Sequence, residues 1–419
     1  MSTVDPRRFV EPSAYKELGY PHGEWARLRR QAPVAHFTVD GWPSFWAVTR
    51  HSDVVALSCQ PTLFVNAPGI ALERTTRESA HQMRSIINMD PPEHGAYRRV
   101  AAPWFTTAAL ARLESVVTGT ARRLIDALGD EGECDFVESV ATRYPLHVVA
   151  TLLGVPECDE PFLMEVTREI FEREDIAQAE ADHAGRNRET FFEFYSYFSR
   201  LIEDRRAKPR DDLATAFATA KIDGCPMGRM ETLSYGLVTV TAGHETTRGS
   251  VAGGLLALIE RPDALRRWAT DPALTATAAD EILRFVSPVV YMMRTATQDH
   301  PLRNRTIRAG DRVLLFHASA NRDEEVFANP DELDLARTPN PHVALGVGEH
   351  ACLGGRLARR MTGAVLEEFV RRVDRVELAG RPQRVAANMI PSLASLPIRY
   401  RMRPRAESRP AARGAGDRC

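Results

Sequence analysis

From residue 106 onward the apolar positions recur at helical spacing. Leu110, Leu113, Val116, Val117, Ala121, Leu124 and Leu128 fall on one stripe, the period at which a helix hides one face from water. The same pattern predicts further helices at about 136–153, 160–182, 187–206 and 211–219. Residues 227–259 predict one long helix, interrupted at Gly243, and 262–269 and 275–285 two shorter ones. Upstream, a short helix is expected over 25–31, then a hairpin of Val34–Phe37 and 45–49 around the Asp40-Gly41 turn, then a helix over 51–58. Residues 61–88 hold no clean period and read as a long, irregular loop, the kind that usually serves function inside a compact domain. The C-terminal third mixes short strands, at 289–295, 312–318, 375–378 and 394–400, with irregular runs and a helix from about 353 to 373. Residues 404–419, rich in Arg, Ala, Gly and Pro, predict a disordered tail. The expected fold is mainly α with a minor β component, in one domain over 1–403.

Composition narrows the functional classes. The chain of 419 residues is 44% hydrophobic and 26% charged, with a net charge of −2, an ordinary globular balance. No basic block invites nucleic acid. Residues 1–23 lack the apolar core of a signal peptide or membrane anchor, and no run approaches the ~18 apolar residues that span a bilayer. The six cysteines, Cys59, Cys134, Cys158, Cys225, Cys352 and Cys419, form no C-x-x-C pair. That scatter argues for reduced thiols and a cytoplasmic location, and against structural zinc.

The richest chemistry lies in Leu345-Gly346-Val347-Gly348-Glu349-His350-Ala351-Cys352-Leu353-Gly354. A cysteine there, at the mouth of a helix, meets backbone N–H groups and the positive dipole end, which favour a thiolate. The glycines let backbone approach something flat or bulky. A single-cysteine axial ligand to haem iron fits that loop; so does a buried cysteine in an ordinary capping loop. Three weaker motifs accompany it. Glu281-x-x-Arg284 shares a helix face, as an ordinary solvated surface pair does; it also precedes the charged, irregular run 320–337, which a buried Glu–Arg–Arg network could pin. Thr241-Ala242-Gly243-His244-Glu245-Thr246-Thr247 weakens a helix in its middle, placing a hydroxyl beside a carboxylate in the outline of a proton relay. Asp90-Pro91-Pro92 opens a helix on which His94 and Arg98 share a face able to hold a carboxylate.

In this order, across residues 20–400, the motifs resemble the cytochrome P450 family in its soluble bacterial form. The resemblance implies a large helical domain around haem plus a small β-rich region, and haem-thiolate monooxygenase activity with O2. By position it makes Cys352 the thiolate ligand of haem b. Glu281, Arg284 and Arg337 become the structural triad, and Glu245 and Thr246 the acid–alcohol pair that delivers protons during dioxygen activation. Ala242 and Gly243 line the distal face; Leu345, Gly346 and Gly354 belong to the haem-side loop. His94, Arg98, Arg294 and His350 stand where the propionates are usually held. Leu345 and Leu333 stand where the family often has Phe, and Pro103-Trp104 is unusual.

The resemblance further implies electrons from NAD(P)H through a separate ferredoxin reductase and ferredoxin, since no reductase domain follows the fold. Arg356, Arg359 and Arg360, with Arg98 and Arg99, would form a basic patch for that acidic partner; an ordinary solvated helix face fits them equally. Substrate-pocket candidates are the 66–88 loop, the helices at 165–185, Val238, Thr239, Val289, Val290, Met292, Met389, Ile390 and Leu393. They suit a hydrophobic small molecule: a terpenoid, a steroid or an alkyl chain. A tailoring oxidase for a polyketide or peptide, and a non-catalytic haem-thiolate sensor or carrier, stay open at this point. No membrane anchor is expected, and the chain is expected to be a monomer.

Overall fold

A computed structural model describes residues 4–74, 84–171 and 182–404, with backbone only at 170–171 and 182–188. Residues 405–419 of the expected tail therefore lie outside the described residues, as do 75–83 of the long loop and 172–181 of the pocket candidates.

The axis of the fold is the helix Arg229–Ile259. It packs against the helices Arg143–Leu153, Thr275–Val286 and Gly355–Arg372, which carry respectively an apolar inner wall, the Glu281-x-x-Arg284 motif and the exit from the cysteine loop. The expected interruption at Gly243 is absent: the helix is continuous. A Cβ at Gly243 would lie 2.8 Å from Val149 Cγ2, so the glycine serves close packing of two helices. The hydroxyls of Thr239, Thr241 and Thr246 bond back to carbonyls one turn earlier, at 2.7 to 2.9 Å. The helix thus absorbs its threonines without breaking.

The apolar stripe after residue 106 divides into Thr107–Ala111 and Glu114–Ala127. The latter helix buries Val117, Ala121 and Ile125 in the largest core. The helices Glu160–Phe171 and Asp182–Ala207 occupy the two stretches expected near 160–206.

A five-stranded sheet forms the second layer, in the order Val34–Phe37, Phe45–Val48, Arg312–Leu315, Met292–Ala296, Phe64–Val65. Pairing is antiparallel except between Arg312–Leu315 and Phe45–Val48. Strand alternation divides its side chains between two cores. Phe45, Ala47, Met293 and Leu314 join the core around Phe9, Trp25 and Phe316. Trp46, Val48, Ala296, Val313 and Leu315 join the opposite one. Arg294, in register with Val313, follows Met293 and therefore emerges on the face opposite to it.

The strand expected at 312–318 is shorter, turning helical at His317–Ala320. The one at 394–400 breaks at Leu396 into Leu393–Ser395 and Pro397–Met402. The latter is the middle of a three-stranded sheet with Val373–Leu378 and Glu131–Asp135. Glu131–Asp135 has too polar a sequence to announce a strand.

Candidate active site

The cysteine loop closes on itself: Cys352 N–H donates to the Leu345 carbonyl at 2.8 Å. Gly346 and Gly348 take positive φ, +66° and +73°, which suits residues without a Cβ. At Gly348 a Cβ would also lie 2.6 Å from the Ser58 carbonyl oxygen, so this glycine lets the loop lie against the end of the helix His51–Ser58. The following helix starts at Gly355, behind an N-cap at Gly354, two residues later than expected.

Cys352 is exposed by surface area yet crowded by protein atoms, as befits the wall of an interior space. Burial raises its thiol pKa; the Gly354 N–H and the charges of Arg98 and Arg359 oppose this without winning. The backbone N–H expected to favour the thiolate does so, but it is outweighed. Here desolvation is the larger effect, and the charge of a bound metal is what deprotonates such a ligand.

Beside the cysteine lies a cluster of cationic and imidazole donors, Arg98, His94, His350 and Arg294. Arg98 donates to the Ala351 carbonyl at 2.7 Å. The His94 and His350 rings stack with centroids 4.0 Å apart. His94 is buried, with Nδ1 3.1 Å from Glu349 Oε1, which leaves Nε2 for another partner. His350 Nε2 is buried with no hydrogen-bond partner among the described residues. Its pKa falls to about 3, through burial and the charges of His94, Arg294 and Arg98. Arg294 is buried, bonded only to the Met293 carbonyl at 2.9 Å, and has no ion pair among the described residues. Burial lowers its pKa to about 10. Cations desolvated to this degree are paired in folded proteins. The orphaned Nε2 and the unpaired guanidinium fit a ligand that brings its own carboxylates, as haem does. Beside Arg294 sits His317, which sequence reasoning missed; it is buried and its pKa falls to about 3 by burial and the Arg294 charge.

The structure brings Glu281, Arg284 and Arg337 together. The Glu281 carboxylate receives Arg284 at 2.8 and 2.7 Å and Arg337 at 3.0 Å. Arg284 also donates to the carbonyls of Asn321, Pro330 and Glu332, stitching the irregular run to the helix. Asn340 adds a further bond to Glu281, and no sequence signal marked it.

On the central helix, Gly243 packs against Val149, while Val238, Thr239, Ala242 and Thr246 are partly or fully open between buried neighbours. They recur every three or four residues, so one stripe of an otherwise buried helix faces a space. Thr246 Oγ1 donates to the Ala242 carbonyl at 2.7 Å. Glu245 faces elsewhere. It is buried and accepts from Arg248 at 2.5 Å, and it lines an outer cleft of about 910 Å³ with Glu138, His147, Glu160 and His244. Arg248 escaped notice, although Glu245-x-x-Arg248 repeats the spacing of Glu281-x-x-Arg284.

The expected pocket residues divide by burial. Val290 is fully buried in the N-terminal core, and Met389 packs against that same core. Leu393 likewise belongs to the largest core. Val289 is buried but joins none of the three cores, while Met292 and Ile390 are only partly buried. The basic patch is smaller than expected: Arg359 is bonded to Asp280 and Arg360 to Glu114. Arg98 turns to the Ala351 carbonyl, which leaves Arg99 and Arg356 exposed.

Comparison with known proteins agrees with this architecture. The family profile "Cytochrome P450" matches residues 272–396. The chain is 39% identical to cytochrome P450-terp of Pseudomonas sp over 415 residues, covering 94% of this chain and 96% of that one. It is 34% identical to linalool 8-monooxygenase of Pseudomonas putida, over 90% of this chain and 95% of the relative. The crystal structure of CYP108D1 from Novosphingobium aromaticivorans superposes with a TM-score of 0.87 at 35% identity, covering 96% of this chain and all of that one. No described helix is long and apolar enough to cross a membrane. With relatives of this identity matched over nearly their whole length, this chain belongs to the cytochrome P450 family, as an oxidoreductase whose haem iron takes a cysteine thiolate.

Proposed function

We propose that the protein hydroxylates a hydrophobic small molecule, a terpenoid, steroid or alkyl chain, using O2 and electrons from a separate ferredoxin and its reductase. The observation that carries this reading is the open stripe of the central helix. Its side chains, Val238, Thr239, Ala242 and Thr246, are apolar apart from two hydroxyls, and those are bonded to the Tyr235 and Ala242 carbonyls. Such a wall offers a substrate contact area but no charge. Relatives named for terpenoid, lipid and steroid oxidation support it: linalool 8-monooxygenase, methyl-branched lipid omega-hydroxylase and steroid C26-monooxygenase.

Haem, when bound, supplies the activation of dioxygen and its transfer to a C–H bond. Cys352 provides the thiolate ligand. His94, Arg98, Arg294 and His350 hold the propionates, and each carboxylate gains charge-assisted hydrogen bonds from groups already desolvated. Glu245 takes protons from the outer cleft, which it lines beside its partner Arg248. Thr246 hands a proton inward when its hydroxyl rotates away from the Ala242 carbonyl. Glu245 and Thr246 are neighbours on the helix, so the relay crosses from the outer face to the inner one within two residues.

A spectral titration tests the reading. Terpenes, steroids and fatty acids are added to the ferric protein, and the Soret band is followed. A saturable shift with at least one of these classes is expected. No shift with any of them, alongside a shift with a polar peptide or polyketide, would overturn it.

A further inference from the structure

Three residues outside the triad and the cationic cluster converge on the cysteine loop. Asp280 Oδ1 lies 2.7 Å from His342 Nε2 and accepts from Arg359 Nε at 2.6 Å. His342 is buried, and its Nδ1 accepts the Ala344 N–H at 3.3 Å. With Nδ1 accepting, the ring proton sits on Nε2 and is donated to Asp280. Ala344 is followed by Leu345, whose carbonyl receives the Cys352 N–H at 2.8 Å. A continuous line of bonds thus runs from the helix Thr275–Val286 through His342 to the backbone of the cysteine.

Arg359 approaches the same place from the other side. A Cβ built on Gly355 would lie 3.6 Å from Arg359 Nη1, 3.8 Å from Cys352 Cβ and 3.5 Å from Leu345 Cδ1. The guanidinium, the cysteine side chain and Leu345 therefore border one spot. Asp280 and Glu281 are adjacent on one helix and do separate work. Glu281 holds the irregular run before the loop, and Asp280 holds the lead into the loop itself.

We propose that Asp280, His342 and Arg359 are positioning residues for the Cys352 sulfur: His342 pins the lead into its loop, Asp280 anchors His342 and Arg359, and Arg359 sets a positive charge beside the thiolate. A positive charge there favours the reduced state of the haem, so it raises the midpoint potential. The inference rests on Cys352 being the haem ligand.

The experiment uses the haem-loaded protein and two pairs of variants. Arg359→Gln is expected to lower the midpoint potential, whereas Arg359→Lys keeps it near the wild-type value. Equal potentials in wild type and Arg359→Gln would overturn the charge role, as would an equal fall in Arg359→Lys. For His342, the red-shifted Soret band of the reduced carbon monoxide complex is measured. His342→Asn places an amide oxygen where Nδ1 stands and retains most of that band; His342→Leu loses more than half of it. A residue that only filled space would give the opposite order, since Leu keeps the apolar volume better than Asn. That order, or equal loss in both, would overturn the positioning role. Cys352→Ser tests the underlying assignment separately: it abolishes the red-shifted band, and persistence of the band would sink the ligand and with it this inference.

Discussion

Glu281→Gln probes how the protein holds its irregular run in place. The Glu281 carboxylate is fully buried. Its Oε2 accepts from Arg284 Nε, Arg337 Nε and Asn340 Nδ2 at 2.8, 3.0 and 3.1 Å. Its Oε1 accepts from Arg284 Nη2 and the Asp334 N–H at 2.7 and 2.9 Å. Glutamine keeps the volume and removes the charge. Whichever way its amide turns, an NH2 group faces donors; the better orientation sets it against Arg284 Nη2 and the Asp334 N–H. Two buried guanidiniums, Arg284 and Arg337, then lack their counter-ion. Removing one partner of a buried pair costs about 3–5 kcal/mol, against a total stability of roughly 5–15 kcal/mol. Urea unfolding followed by far-UV circular dichroism would read that loss as a lower midpoint at unchanged slope. Asp263→Asn is the control, because the Asp263–Arg266 pair is solvent-exposed and such pairs contribute little. A Glu281→Gln stability within about 1 kcal/mol of wild type, the range of a surface pair, would refute the reasoning.

Three further outcomes are expected. Thr246→Ala leaves haem content intact but lowers product formed per NAD(P)H oxidised by severalfold; unchanged coupling would remove Thr246 from the relay. His244 is buried and its pKa falls to about 4, chiefly through burial, so the unfolded chain takes up a proton first as pH drops below about 6.5. Its contribution is therefore complete above that pH and declines toward pH 4, by about 2 kcal/mol at pH 5. Urea midpoints at pH 7.5 and pH 5 should differ less in His244→Gln than in wild type. Gly243→Ala drives a methyl to 2.8 Å from Val149 Cγ2, an overpacking cost of about 1–3 kcal/mol offset by about 1 kcal/mol of helix propensity. Val149→Ala should relieve it, and strictly additive stabilities in the double variant would contradict the packing explanation.

Chemistry carried by neighbouring residues was legible before the fold was seen. The cysteine loop, Glu281-x-x-Arg284 and Glu245-Thr246 are each contiguous or one helical turn apart, so local geometry already orders them. Apolar period located most helices for the same reason. What escaped notice depends on partners remote in sequence. Gly243 read as a break because the sequence does not show Val149 waiting 2.8 Å away. Arg359 and Arg360 read as free surface charge because Asp280 and Glu114 lie 79 and 246 residues earlier. Glu131–Asp135 became a strand only because Pro397–Met402 supplied a partner.

By itself, the sequence determined the mainly helical class, the one cysteine suited to bind iron and the order of the motifs around it, since these follow from period, spacing and residue type. Tertiary structure decided which charges are spent and which are left waiting. It turned Glu245 toward Arg248 and the outer cleft, paired Arg359 with Asp280 beside the cysteine loop, and buried Arg294 with no ion pair among the described residues. The reason is desolvation. A charge along a chain looks the same whether it will end in water or in the core, and only packing determines which of them must find a partner.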